Sequence, residues 1–198
     1  MYRLPSVQER ERARASLGIE DGEAAFIFVG RFVEKKGLAL LSRLACATPQ
    51  VRWLFAGRGP LDPVKWELPN VSVFRGRSRE TLRDLLWAAD LMVLPSVGEG
   101  FPLVVQEATA CGLPSLISAP TLDGFPAAKG LLFCEALGPG AEERWASRLR
   151  AIAAGREARP TPEALAAFAA RHWSWEPILD FYRQRFAALA ASDRRFRQ

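Results

Sequence analysis

Between residues 24 and 136, short apolar runs alternate with stretches in which apolar residues recur every three or four positions. The runs AAFIFVG (24–30), VRWLFAG (51–57), VSVFRG (71–76), LMVLPS (91–96), PSLISA (114–119) and GLLFCE (130–135) predict six strands. Several are apolar on both faces, as strands buried inside a parallel sheet are. The intervening stretches KKGLALLSRLACA (35–47), RETLRDLLWAAD (79–90) and PLVVQEATACG (102–112) carry helical spacing. This alternation predicts βαβ units and a Rossmann-like three-layer α/β/α sandwich with a mostly parallel sheet. A charged segment at 7–17 predicts a helix or linker ahead of it. Behind it, AEERWASRLRAIAAG (141–155) reads as an amphipathic helix, 155–162 as a break, and 163–198 as further helix interrupted around RHWSWEP (171–177). The expected division is an N-terminal linker or helix over 1–22, the sandwich over 23–155 and a helical extension over 156–198. The extension is rich in aromatics, Trp173, Trp175, Phe181, Tyr182, Phe186 and Phe196. Most are expected to pack on the sandwich, and some to serve a surface outside this chain.

Composition adds limits rather than a function. The chain has 198 residues, 49% hydrophobic and 25% charged, enough to bury one sizeable core. Its net charge of +5 favours anionic partners without choosing among phosphates, nucleic acid and membrane surfaces. Cys46, Cys111 and Cys134 are odd in number, dispersed and set among apolar neighbours, which argues against a disulfide framework or a CxxC zinc site and suits a reducing cytoplasm. No apolar run approaches the roughly 18 residues of a membrane span, and the first residues lack the apolar centre of a signal peptide. There is no paired-aspartate D-x-D, and His172, the single histidine, has no ligand cluster, so no metal is implied.

The glycines carry the first functional signal. Gly30, Gly57 and Gly76 close three strands, and a fourth strand runs into Gly98 and Gly100. In an open parallel sheet these positions fall on the carboxyl edge, where ligands enter at the reversal of strand order. Any one of them taken singly reads better as an ordinary strand-to-helix turn; four together point to a site. In GRFVEKKG (30–37), Lys35 and Lys36 stand at an expected helix start, where unpartnered lysines are disfavoured by about 0.3–1 kcal/mol each. A bound anion would reverse that cost, and the planar fork of Arg31 suits the same anion. Solvation, or neutralisation by Glu34, is the alternative. GRGP (57–60), with Gly57 and Gly59, has too few glycines for a dinucleotide fingerprint and lacks the GK[ST] ending of a P-loop, so a nucleotide pocket and a plain turn both fit it.

The second signal is GEGFPLVVQEA (98–108). Pro102 at the first helical position and Gly112 just past the end predict a helix over 102–111. Val104, Ala108 and Cys111 would form its apolar stripe, with Glu107 on the stripe's edge. A carboxylate there needs a hydrogen-bonding partner, either from the protein or from a ligand hydroxyl. Glu99 falls in the preceding loop and is expected to be accessible, beside the N–H groups of Gly100 and Phe101.

Taken in order, FVGRFVEKKG, LFAGRGP, NVSVFRG, LLWAADLMVLPS and GEGFPLVVQEATACGLP resemble the C-terminal, donor-binding half of a GT-B glycosyltransferase of the retaining class called group 1 or family 4. The likeness covers roughly residues 17–118, and its most specific part is the E-x7-E of Glu99 and Glu107. The resemblance implies that Arg31, Lys36 and Glu99 are catalytic, with Arg31 and Lys36 on the diphosphate of a nucleotide-sugar and Glu99 on the donor sugar. It places Glu107 on the ribose hydroxyls, Gly100, Phe101 and Pro102 beneath sugar and phosphate, and Gly30, Gly57 and Gly59 among the donor-binding residues. It also implies no metal and no cofactor, a nucleotide-diphosphate-sugar as donor, a glycan or lipid-linked acceptor and no nucleic acid. An N-terminal acceptor-binding domain, in cis or in trans, would complete an enzyme of the cytoplasm or the inner membrane face; this chain alone would be inactive. The loop PTLDGFPAAKG (120–130) lacks the family's paired glycines and following acid, so no sugar contact is carried over there. The alternatives are a non-catalytic nucleotide-binding or interaction module and a domain resembling a nucleotide-sugar epimerase.

Overall fold

The computed structural model describes residues 1–76 and 78–195. All six expected strands form: β1 (Ala25–Val29), β2 (Arg52–Ala56), β3 (Val71–Phe74), β4 (Leu91–Leu94), β5 (Ser115–Ser118) and β6 (Phe133–Glu135). They make one parallel sheet in the order β3-β2-β1-β4-β5-β6. Phe26 on β1 lies between Trp53 of β2 and Leu91 of β4, and the order of connection reverses between β1 and β4. That reversal opens a crevice at the carboxyl ends of the two central strands.

The helices are α1 (Val7–Ser16), α2 (Leu38–Ala47), α3 (Arg79–Ala88), α4 (Leu103–Ala110), α5 (Ala119–Leu122), α6 (Ala141–Ala153), α7 (Pro162–His172) and α8 (Trp175–Arg195). Right-handed crossovers running in opposite directions put α2 on one face of the sheet and α3 and α4 on the other. Helix α6 packs with α2, α1 with α3, and α7 with α4. An aromatic ladder fills the centre: Phe26 meets Trp53 edge-on at 5.6 Å, Trp53 stacks on Phe55 at 5.9 Å, and all three are fully buried. Trp53 is tolerated there because its indole N–H donates to Thr48 Oγ1 at 3.0 Å.

The charged segment at 7–17 is a helix despite its polarity. A capping box between Ser6 and Glu9 starts α1, and Arg10 and Arg14 then fix it to the amino edge of the sheet. Arg10 donates to the carbonyls of Trp87 and Ala89, and both arginines reach Asp90. Asp90 also accepts from the Ala25 amide at 2.8 Å, so one carboxylate joins α1, β1 and β4.

Two expectations need correcting. Helix α4 begins at Leu103, with Pro102 as its cap residue, and buries Val105, Ala108 and Thr109; Val104 is only partly covered, while Cys111 is buried. Gly112 does take the left-handed conformation at φ 71°, just past the helix end. In the tail, Trp173 packs inward, but Phe181, Tyr182 and Phe186 are exposed on α8, Tyr182 meeting Phe181 edge-on and stacking on Phe186. Their apolarity demands a covering surface, and sequence alone does not say which molecule supplies it. Phe196 and the side chain of Trp175 lie outside the described residues. Among the described residues no helix is long and apolar enough to cross a membrane.

Candidate functional site

The loop after β1 sets up the site. Phe32 is fully buried beneath it, a single helical turn spans Glu34–Lys36, and Gly37 follows at φ 77°. A Cβ at Gly37 would sit 2.4 Å from the Pro95 carbonyl oxygen, so only glycine permits this contact between the β1 and β4 loops. The Val97 amide donates to the Lys35 carbonyl at 2.8 Å and closes the same seam. Helix α2 thus begins only after Gly37, and the two lysines belong to the turn before it rather than to the helix start that the spacing suggested.

Across that seam the Lys36 ammonium lies 2.7 Å from Glu99 Oε1, each side chain only 13% exposed. Glu99 is therefore not the accessible loop acid that sequence suggested: the lysine's partner is Glu99, not Glu34. The contact lacks hydrogen-bond alignment, and Oε1 is buried with no hydrogen-bond donor among the described residues. Its electrostatic attraction to the ammonium partly offsets desolvation of both ions but leaves acceptor capacity unused. The Lys36 stem lies against Gly30, and Arg31, next in the chain, is exposed with no ion pair among the described residues.

The glycines of the second loop prove to be demanded by the protein's own backbone. A Cβ at Gly57 would fall 1.9 Å from the Gly30 carbonyl oxygen, and one at Gly59 would fall 2.4 Å from that of Phe32. Phe32 N donates to the Arg58 carbonyl at 2.9 Å, and Leu61 N to the Phe32 carbonyl at 3.0 Å. This packing holds the β1 loop against the β2 loop.

Three features escaped the sequence reading. Gly124 packs so tightly on Gly100 that a Cβ there would lie 1.8 Å from the Gly100 carbonyl oxygen; the Asp-Gly pair at 123–124 was the available signal. Ser118 Oγ donates to the Ser96 carbonyl at 2.6 Å, joining the ends of β5 and β4, while the Ser96 hydroxyl itself is buried without a partner among the described residues. Finally, Phe101, half-exposed, rests on Phe125 at 4.6 Å and meets Trp173 at 6.0 Å, with Pro102 buried behind it.

Glu107 is not part of the Lys36–Glu99 pair. Burial raises its pKa, and the Tyr2 hydroxyl, acting as a hydrogen-bond donor, and the nearby charge of Arg79 partly counter that. In return, burial and the Glu107 carboxylate push the Tyr2 phenol up to about 12. Tyr2 is held by its neighbours: the Trp87 indole donates to the Arg3 carbonyl at 2.8 Å, and Leu4 packs on Gly112. A cavity of about 490 Å³ opens near these residues, between 4–10, 86–90, 111–114 and 159–163, but on the amino edge, where Arg10 and Asp90 already satisfy each other. The chemistry collects at the opposite edge.

A doubly wound parallel sheet with the Lys36–Glu99 pair in the loops at its reversal point defines a Rossmann-like α/β/α domain of the GT-B type. Residues 9–126 match the profile of the glycosyl transferases group 1, and the chain belongs to that family. Against D-inositol 3-phosphate glycosyltransferase of Mycobacterium leprae it is 34% identical over 206 residues, covering 94% of this chain and 45% of that enzyme. Sucrose-phosphate synthase from Thermosynechococcus elongatus superimposes with a TM-score of 0.77 at 26% identity, over 94% of this chain and 50% of that one. Anabaena HepE, solved in complex with UDP-glucose, gives 0.74 at 20% identity over 94% of this chain and 54% of its own, a likeness of fold. The chain thus spans about half the length of these relatives.

Proposed function

We propose that this chain is the donor-binding half of a retaining, metal-independent glycosyltransferase that moves a sugar from a nucleotide-diphosphate-sugar to a glycan or lipid-linked acceptor. The observation that carries this reading is the Lys36–Glu99 pair at the strand reversal, with the exposed Arg31 beside it. Arg31 and Lys36 take the diphosphate. Lys36 turns from Glu99 toward the phosphates, which frees Glu99 Oε1 to accept from hydroxyls of the donor sugar. Gly30, Gly100, Phe101 and Pro102 shape the floor beneath sugar and phosphate, while Gly57 and Gly59 hold the β1 loop in place. Glu107, on α4, accepts from the ribose hydroxyls.

In the reaction, the acceptor hydroxyl oxygen bonds to the anomeric carbon on the face from which the diphosphate leaves. The bonding pair goes to the departing phosphate oxygen, and the acceptor proton ends on that phosphate. Arg31 and Lys36, rather than a metal ion, meet the charge that grows there, stabilising the transition state more than the ground state. Catalysis requires two substrates in register, so the acceptor-binding domain of the complete enzyme is needed for turnover. The exposed rings of α8 suit a contact with that domain. The complete enzyme acts in the cytoplasm or peripherally at the inner membrane face.

The test is direct. The purified chain, titrated calorimetrically with UDP, GDP, ADP and the glucose conjugate of each, is expected to bind one nucleotide class, and Glu107→Ala to lose it. In the complete enzyme, Lys36→Ala or Arg31→Ala is expected to lower turnover by about 10²–10³-fold, the loss typical of one transition-state donor. Absence of binding to every ligand in the panel would favour a non-catalytic interaction module; near-normal turnover in either variant would overturn the catalytic assignment.

A further inference from the structure

Trp173 occupies the turn between α7 and α8, far along the chain from Glu99, yet its indole meets both loops that flank the Glu99–Gly100 segment. It lies 6.0 Å from the Phe101 ring at 87°, 5.3 Å from Phe125 at 63° and 4.9 Å from Phe168 at 88°. Phe101 and Phe125 are themselves 4.6 Å apart. Edge-to-face pairs are directional, so the cluster fixes how the rings are oriented as well as where they sit. The anchor is firm: Trp173 N donates to the Ala169 carbonyl at 2.8 Å, and α7, with Leu165 and Ala169 buried, packs on α4.

The chain of contact leads to the sugar side of the crevice. Phe101 stands two residues after Glu99, and fully buried Phe125 follows Gly124, whose backbone presses on the Gly100 carbonyl. The phosphate side rests on other supports: Phe28 and Phe32 pack together at 6.3 Å, Phe28 meets Phe55 at 5.8 Å, and the β1 loop is hydrogen-bonded to the β2 loop. Apart from the seam that joins the β1 and β4 loops, the two halves of the crevice are therefore braced by different parts of the molecule.

We propose that Trp173 is a positioning residue for donor-sugar recognition, acting through Phe101 and Phe125 to hold Glu99 and Gly100 against the sugar while leaving the diphosphate grip to the β1 loop. The inference rests on the donor-site reading above and assigns to the helical extension a share in choosing the sugar.

The experiment compares the full chain with Trp173→Ala and Trp173→Phe, using whichever nucleotide diphosphate of the UDP, GDP and ADP series binds and its glucose conjugate. Trp173→Ala is expected to weaken the conjugate by about tenfold while the free diphosphate changes by less than about twofold, and Trp173→Phe to recover most of the loss. If Trp173→Ala does not fold, Trp173→Leu carries the same comparison. Equal loss of both ligands, or loss of neither, overturns the positioning role and leaves the donor-site reading standing. A wild-type chain that binds none of the ligands overturns both.

Discussion

At the scale of the residue, the two acids of the E-x7-E element have different physical situations. Glu99 is neutralised by Lys36 at 2.7 Å; Glu107 depends on the Tyr2 hydroxyl and on Arg79 at a distance from that pair. Because burial raises the Glu107 pKa above its ordinary 4.5, the folded chain holds that proton more tightly than the unfolded one. Its stabilising contribution is full below pH 4.5 and is lost as pH rises through the raised folded value. Glu107→Gln is therefore expected to melt above wild type at neutral pH and to lose that advantage below pH 4.5, as thermal melts across a pH series would show. Tyr2→Phe removes the donor that holds the Glu107 pKa down, so the carboxyl titration followed by NMR moves further upward. The acids themselves were legible in the sequence; Tyr2 was not, because no spacing rule connects residue 2 to residue 107.

At the scale of the element, continuous apolar runs located every strand and a repeat near 3.6 located α2, α3 and α4, while the four-residue α5, too short to show a period, fell in what reads as a loop. The pattern placed α4 within one residue at either end but assigned its buried face to Val104 where the structure buries Val105 and Thr109. With β5 of the sheet and α7 of the extension both packed against it, α4 is covered over a wider arc than one stripe. The glycines show the same limit. Sequence left GRGP, with Gly57 and Gly59, open between a nucleotide pocket and a plain turn, and only the packed loops reveal that the backbone of Gly30 and Phe32 presses on both glycines. Gly57→Ala is accordingly expected to destabilise the fold by about 1–3 kcal/mol, because the 1.9 Å contact forces backbone to shift rather than a side chain to rotate. A chemical denaturation curve with an unchanged midpoint would contradict this.

At the scale of the whole molecule, the chain is a site-bearing domain with an apolar helix face left in solvent. Tyr182 and Phe186 are 52% and 66% exposed, and exposed rings of this kind drive association. The isolated chain is expected to self-associate with rising concentration in sedimentation runs, and Tyr182→Ser with Phe186→Ser to suppress this without altering nucleotide binding. The alternation of apolar and polar positions determined the sandwich, its parallel sheet and the edge on which a ligand enters, because burial and hydrogen-bond pairing act along each segment and leave their period in it. The ordered motifs determined the family. Only the tertiary structure decided which groups meet: that Glu99 neutralises Lys36, that Tyr2 serves Glu107, that Gly124 admits Gly100 and that Trp173 packs on Phe101 and Phe125. Those contacts join positions distant in the chain, and their energies depend on distances of a few ångströms that no local pattern encodes.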